Sequence, residues 1–146
     1  KSNALTKNVS TPMSAVKKGL TALGVNKLGY IAPYVSEIAY KMCLHLVEAG
    51  FDVHTAATFS EERDSVVGVI TPKSIFNAIE TLVNQSPDLE AVFVSCTSLK
   101  CAPIIPLAEE KFGIPILSSN SALAWDMAKL SKAVVSATGK GKLFQL

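Results

Sequence analysis

A single cysteine in this sequence stands where a strand would hand a reactive group to a turn. Cys96 closes the run Ala91-Val92-Phe93-Val94-Ser95, which is dense in β-branched and aromatic residues, and Thr97 and Ser98 follow it. A thiol at a buried strand end meets backbone N–H groups that can hold an anion, and such a setting favours thiolate over thiol. Thr97 and Ser98 add hydroxyl donors beside it. By spacing alone the position suits a small buried apolar residue better, since cysteine is among the most buried residue types. Cys101, five residues on, reads as packing more readily than as a resolving thiol, and Cys43 falls on an apolar helical stripe and reads as core.

Tyr34 ends the run Ile31-Ala32-Pro33 and can donate its phenol to a carboxylate or enolate oxygen, or simply cap the core edge. Ser118, Ser119 and Asn120 read first as a helix cap and turn, and second as pocket lining. The histidines offer little. His45 falls on the wet side of a helix and His54 within a strand, with no ligand spacing to the cysteines. No C-x-x-C pair suggests zinc, so no metal is expected.

The elements that must position these residues alternate along the chain. Ser10-Thr11-Pro12 opens a helix carrying Met13, Val16, Leu20 and Leu23 at helical spacing, and Gly24 closes it. Residues 27–32 read as a buried strand. Val35, Ile38, Ala39, Met42, Cys43, Leu46 and Val47 predict an amphipathic helix, with Glu37 and Lys41 on its wet face. A second strand covers 51–57, and Glu61-Glu62-Arg63-Asp64 reads as a solvated loop. Thr71-Pro72 starts a third helix with Ile75, Ile79, Leu82 and Val83 on one face. The strand before Cys96, a helix through Ile104, Ile105, Ala108 and Phe112, a strand over 114–117 and a last helix from Ser118 to about Leu130 complete the order. That last helix is apolar nearly all round, which predicts cover on more than one face.

This α-β-α-β-α-β-α-β-α order predicts an α/β fold: a parallel four-stranded sheet flanked by helices, as in a flavodoxin-like lobe. Ligands in such sheets collect outside the carboxyl ends of the strands, where Tyr34, Cys96 and Ser118 fall. A glycine-rich dinucleotide turn and a phosphate-binding loop are both missing from the sequence, so no cofactor is expected.

Composition narrows the class. The chain has 146 residues, 49% of them hydrophobic and 18% charged, which favours a packed fold over disorder. No apolar run approaches the roughly 18–20 residues of a membrane span, and no signal-peptide layout opens the chain, so neither membrane nor secretion is expected. A net charge of +2 with scattered basic residues leaves no nucleic-acid footprint. Three cysteines without framework spacing fit a reducing, cytoplasmic setting. Ser2-Asn3-Ala4 marks residues 1–9 as a cloning remnant or an internal cut, with the lobe over 10–132 and a tail over 133–146.

The segment from Val92 to Lys100, followed by Pro115-Ile116-Leu117-Ser118-Ser119-Asn120-Ser121-Ala122-Leu123-Ala124-Trp125, resembles the aspartate/glutamate racemase superfamily. It is nearest to the branch that holds maleate cis-trans isomerase, arylmalonate decarboxylase and the ectoine-utilisation racemase-like protein. Thr11-Pro12-Met13-Ser14-Ala15-Val16, Ile31-Ala32-Pro33-Tyr34 and Gly139-Lys140-Gly141-Lys142-Leu143 resemble further segments of that branch. The resemblance implies one lobe of a two-lobed enzyme, in which two α/β halves face each other across a cleft and racemases and isomerases place one cysteine on each.

By that resemblance Cys96 is the catalytic cysteine of the carboxyl-terminal half, and Tyr34, Thr97 and Ser98 bind the substrate carboxylate. The implied activity is a cofactor-independent isomerase or racemase of small carboxylic acids using a cysteine at the α-carbon. The alternatives are an arylmalonate-type decarboxylase with one catalytic cysteine, and a non-catalytic isolated lobe. The implied partner is an amino-terminal lobe or another subunit, and the apolar first and last helices point to a homo-oligomer. Asp64 falls where the isomerase branch often carries asparagine, and a carboxylate there would repel a dicarboxylate.

Overall fold

The computed structural model describes residues 9–146; the expectation for residues 1–8 lies outside the described residues. Helix α1 (Pro12–Leu23) starts as its sequence demands. The Thr11 side chain accepts the Ser14 N–H, Ser14 returns a bond to the Thr11 backbone, and Pro12 fills the first turn, where no N–H partner is needed. Gly24 ends the helix in the left-handed region at φ 68°. Strand β1 (Lys27–Ala32), helix α2 (Ser36–Val47) and strand β2 (Asp52–Thr58) follow, then α3 (Asp64–Val67), α4 (Pro72–Gln85), β3 (Ala91–Val94), α5 (Ile105–Phe112), β4 (Ile116–Ser118) and α6 (Ser119–Ser131). A 3-10 turn, Lys142–Gln145, closes the tail.

The four strands form one parallel sheet in the order β2-β1-β3-β4. Side chains alternate across it. Leu28, Tyr30, Ala32, Phe93 and Leu117 join the core under α1, α2 and α6, while Ile31, Val92, Val94 and Ile116 join the core under α4 and α5. Because β1, β3 and β4 are covered on both faces, they read as continuous apolar runs rather than alternating ones. Strand β2 lies at the edge, and its residues alternate between half-buried and exposed along most of its length. Gly29 is required in β1. A Cβ there would lie 2.2 Å from Leu82 and 2.9 Å from Leu89, and the β1–β2 register shifts between Leu28 and Gly29.

The expected sheet and its helices are present, with three local differences. Asp64 does not sit in a loop; it opens the one-turn helix α3, where an acidic first turn suits the helix dipole and Val67 anchors the turn in the core. The α2 stripe is shallower than its spacing predicts. Ala39 and Leu46 are buried, but Ile38 and Val47 are about half exposed and Cys43 is only half-buried, because α2 packs against the edge strand β2. The apolar faces of the first and last helices, expected to need a neighbour, largely cover each other: α1 packs on α6, and Asp126 accepts hydrogen bonds from Lys18 Nζ at 2.7 Å and Ser10 Oγ at 2.6 Å. Met127 remains exposed on α6.

The tail is tied down by a buried acid. Glu109 on α5 accepts the Ile116 N–H at 2.9 Å with one oxygen and the Lys142 N–H at 2.7 Å with the other. Burial pushes its carboxyl above the usual range, and those two N–H groups oppose the rise. Among the described residues no helix is long and apolar enough to cross a membrane.

Candidate active site

Strands β1 and β3 are neighbours at the centre of the sheet, with Ile31 opposite Val94. The Ser95 N–H donates to the Ile31 carbonyl at 2.7 Å, which carries the ladder one residue past β3. The carboxyl ends of these strands therefore open side by side, and Tyr34 and Cys96 come together there.

The chain leaves the strand at Cys96 with φ 102°, one of three non-glycine residues with positive φ among the described residues. An L-residue held there stores about 1–3 kcal/mol of strain, which persists only where surrounding structure enforces it. The enforcement comes from the start of α6. The buried Cys96 N–H donates to Ser119 Oγ at 3.1 Å, and Asn120 Nδ2 donates to the Thr97 carbonyl at 2.9 Å. Ser118 meanwhile caps the helix, accepting the Ser121 N–H. The cap falls to Ser118; Ser119 and Asn120 hold the cysteine loop, and Ser118 and Asn120 also line a cavity. Nothing local in the sequence signals this, since each contact spans 23 residues and exists because β4 pairs with β3.

The turn also acts on the sulfur. The Ser98 N–H donates to Cys96 Sγ at 3.4 Å. Cys96 is 8% exposed. Its neighbour Tyr34 is half-buried, and its phenol is held above the ordinary tyrosine value by burial, by the adjacent Cys96 thiol and by Tyr30, with the Ser95 hydroxyl opposing. Tyr34 is therefore a protonated donor at neutral pH. The Thr97 N–H has no hydrogen-bond partner among the described residues.

The expected site residues divide into two groups. Cys96 and Tyr34 meet over the β1–β3 edge. Thr97 and Ser98 are exposed and line a cavity of about 790 Å³ together with Lys100, Asn120, Lys140 and Phe144, a cavity whose lining does not include Cys96 or Tyr34. The remaining thiols stand apart: burial, with a smaller contribution from Cys96, pushes Cys101 up to about 12, and burial also raises Cys43. His45 is exposed 3.5 Å from Glu48, and His54 lies on the edge strand 4.0 Å from Asp52. Among the described residues no group of three His, Cys, Asp or Glu could hold a metal ion.

The family model described as arylmalonate decarboxylase matches residues 2–144. The chain belongs to the arylmalonate decarboxylase family. Two curated relatives are similar along most of it: maleate isomerase of Nocardia farcinica, 26% identical over 138 residues and 94% of this chain, and arylmalonate decarboxylase of Bordetella bronchiseptica, 24% identical over 136 residues and 92% of this chain. The matches cover 54% and 57% of those proteins, so the chain spans about half the length of the curated relatives it matches. A crystal structure of arylmalonate decarboxylase superposes with a TM-score of 0.84 at 24% identity, over 92% of this chain and 60% of that one. A maleate isomerase of Nocardia farcinica, solved as a cysteine-to-serine mutant with a covalently bound succinylcysteine intermediate, superposes with a TM-score of 0.81 at 24% identity, over 91% and 54%. These likenesses agree with the α/β lobe read from the sequence.

Proposed function

We propose that this chain is one cysteine-bearing lobe of a cofactor-independent enzyme that isomerises or racemises a small carboxylic acid. The observation that carries the reading is the Cys96 turn. A thiol is held at positive φ, receives the Ser98 N–H and lies beside the protonated phenol of Tyr34. In this reading the Tyr34 O–H and the Thr97 N–H hold the substrate carboxylate, and Ser98 acts through its backbone on the sulfur.

Two courses are open to such a thiolate. It adds to the alkene carbon β to the carboxylate, forming a C–S bond while the π pair moves to the α-carbon and onto its carboxylate as an enediolate. Rotation about the former double bond and return of the pair then expel the thiolate. Alternatively the thiolate takes the α-proton and the resulting enediolate is reprotonated from the opposite face. In both, negative charge grows on the carboxylate oxygens, and pre-aimed donors stabilise that charge more in the transition state than in the ground state. The succinylcysteine described for the Nocardia isomerase supports the first course.

The second course requires a group facing Cys96 across a cleft, supplied by an opposing lobe or another subunit; the half-length match to the relatives supports this partner. A decarboxylase is the second reading. It needs a single thiol, to protonate the enediolate left after loss of carbon dioxide, and the family match and the Bordetella relative favour it.

The test is Cys96→Ser, assayed by deuterium exchange at the α-carbon of small carboxylic acids, by maleate conversion and by carbon dioxide release from an arylmalonate. The expected loss is about 10³-fold or more, as for removal of a nucleophile or proton carrier. Turnover that survives undiminished overturns the role of Cys96, and which substrate turns over separates the two readings.

A further inference from the structure

Helix α6 is entered through three polar residues in a row, Ser118, Ser119 and Asn120, and each has a different partner. The Ser118 side chain accepts the Ser121 N–H and the Ser121 side chain accepts the Ser118 N–H, so the helix start is satisfied without the other two. Ser119 Oγ accepts the buried Cys96 N–H at 3.1 Å, and Asn120 Nδ2 donates to the Thr97 carbonyl at 2.9 Å. Both bonds span 23 residues, at a level fixed by the pairing of Val94 with Ser118. Asn120 is exposed and could give its amide to water; it donates instead to one backbone oxygen.

That oxygen shares a peptide unit with a second functional group. The Thr97 carbonyl and the Ser98 N–H are the two ends of the Thr97–Ser98 peptide. No peptide bond among the described residues is cis, so this C=O and N–H point to opposite sides of one rigid plane. On one side stands Asn120 Nδ2; on the other, the Ser98 N–H meets Cys96 Sγ at 3.4 Å. A peptide held by its oxygen cannot turn its N–H away. Were it to flip, the carbonyl would face the sulfur and the Asn120 donor would face an N–H, which cannot accept. Ser119 holds the Ser95–Cys96 peptide in the same manner, by its N–H. Between these two lies the Cys96–Thr97 peptide, whose N–H has no partner among the described residues.

We propose that Asn120 is a positioning residue for Cys96: by fixing the plane of the Thr97–Ser98 peptide it aims the Ser98 N–H at the sulfur. Ser119 independently fixes the Ser95–Cys96 plane, and the Thr97 N–H between the two is thereby held in a set direction. Both side chains act through the backbone, without touching the sulfur or the substrate. The position needs an amide. Aspartate has the same shape, but its carboxylate only accepts and cannot serve a carbonyl oxygen. The inference rests on the proposed roles of Cys96 and the Thr97 N–H, but its test does not use turnover.

The experiment is amide hydrogen exchange of the reduced chain, followed residue by residue by NMR. Asn120→Asp should raise exchange at Ser98 by about 5-fold, the size of one modest hydrogen bond, and leave Cys96 unchanged. Ser119→Ala should do the reverse. Cys96→Ala removes the acceptor and should raise Ser98 by a similar factor, with no further rise when Asn120→Asp is added, because the same N–H cannot be freed twice. An acid suits a first helical turn, so the Tm of Asn120→Asp should stay at or above wild type. A merely structural Asn120 would give way to aspartate with Ser98 unmoved, or would let Cys96 and Ser98 open together. Either result overturns the proposal, as does a rise at Ser98 that adds to that of Cys96→Ala. If Ser98 is unmoved while Cys96→Ser abolishes turnover, the positioning role fails and the proposed function stands. If Ser98 responds as expected while Cys96→Ser keeps full turnover, the positioning geometry holds and the proposed function fails.

Discussion

Cys96 and Cys101 are five residues apart, both buried, and packed in the same side of the core, yet only Cys96 is held in a positive-φ turn with a donor on its sulfur. Cys96 is held at φ 102°, accepts an N–H on its sulfur and faces a phenol. Cys101 sits in the turn before α5, where its backbone N–H meets the Leu99 carbonyl at 3.0 Å and its carbonyl receives the Ile104 and Ile105 N–H groups. Burial, with a smaller push from Cys96, takes its thiol up to about 12. The difference teaches that two equally buried cysteines can differ in backbone strain and in the donors that meet the sulfur.

The contrast can be broken most directly by labelling. At pH 8 the native protein should alkylate at Cys96 faster than at Cys101 by about 10²-fold or more, since the thiolate is the reactive form. Peptide mapping over time measures the ratio, and comparable rates would remove the distinction. Stability sharpens the same contrast from the other side. Cys101→Ser buries a hydroxyl in an apolar pocket and should cost about 1–3 kcal/mol in urea unfolding. Cys96→Gly should stay within about 0.5 kcal/mol of wild type, because relief of the positive φ offsets the lost packing. A large loss at position 96 would mean that the turn is less strained than its φ implies.

The smallest effect is at high pH. Cys101 is raised in the folded state from 9.0 to about 12 and Tyr30 from 10.0 to about 12. Between those values the folded protein binds more protons than the unfolded chain. The stability these groups contribute is therefore full below pH 9 and is lost as pH rises towards 12. Urea midpoints between pH 8 and pH 11 should fall, and Cys101→Ala should flatten part of the fall. A midpoint that rises over this interval would contradict both shifts.

The fold was legible because its determinants are local. Thr11-Pro12, Thr71-Pro72 and Ser118 announce helix starts by cap chemistry, and the apolar runs before Pro33 and Cys96 announce buried strands. Cys96 and Tyr34 could be picked out because both close such strands. The short helix α3 was hidden by its charges, as its only anchor is Val67. That Thr97 and Ser98 also line a cavity without Cys96 was hidden by the turn itself, whose φ at a non-glycine residue has no sequence signature.

Residue order alone therefore determined the alternation of strands and helices, the parallel sheet it requires, and the placement of a cysteine and a tyrosine at strand ends. Periodicity and capping act within a few residues and survive in the sequence as pattern. Tertiary structure alone decided that β1, β3 and β4 lie side by side, and so brought Tyr34, Ser119 and Asn120 to the cysteine loop. Strand order is chosen by the burial of both sheet faces at once, a sum over distant residues that no short segment encodes.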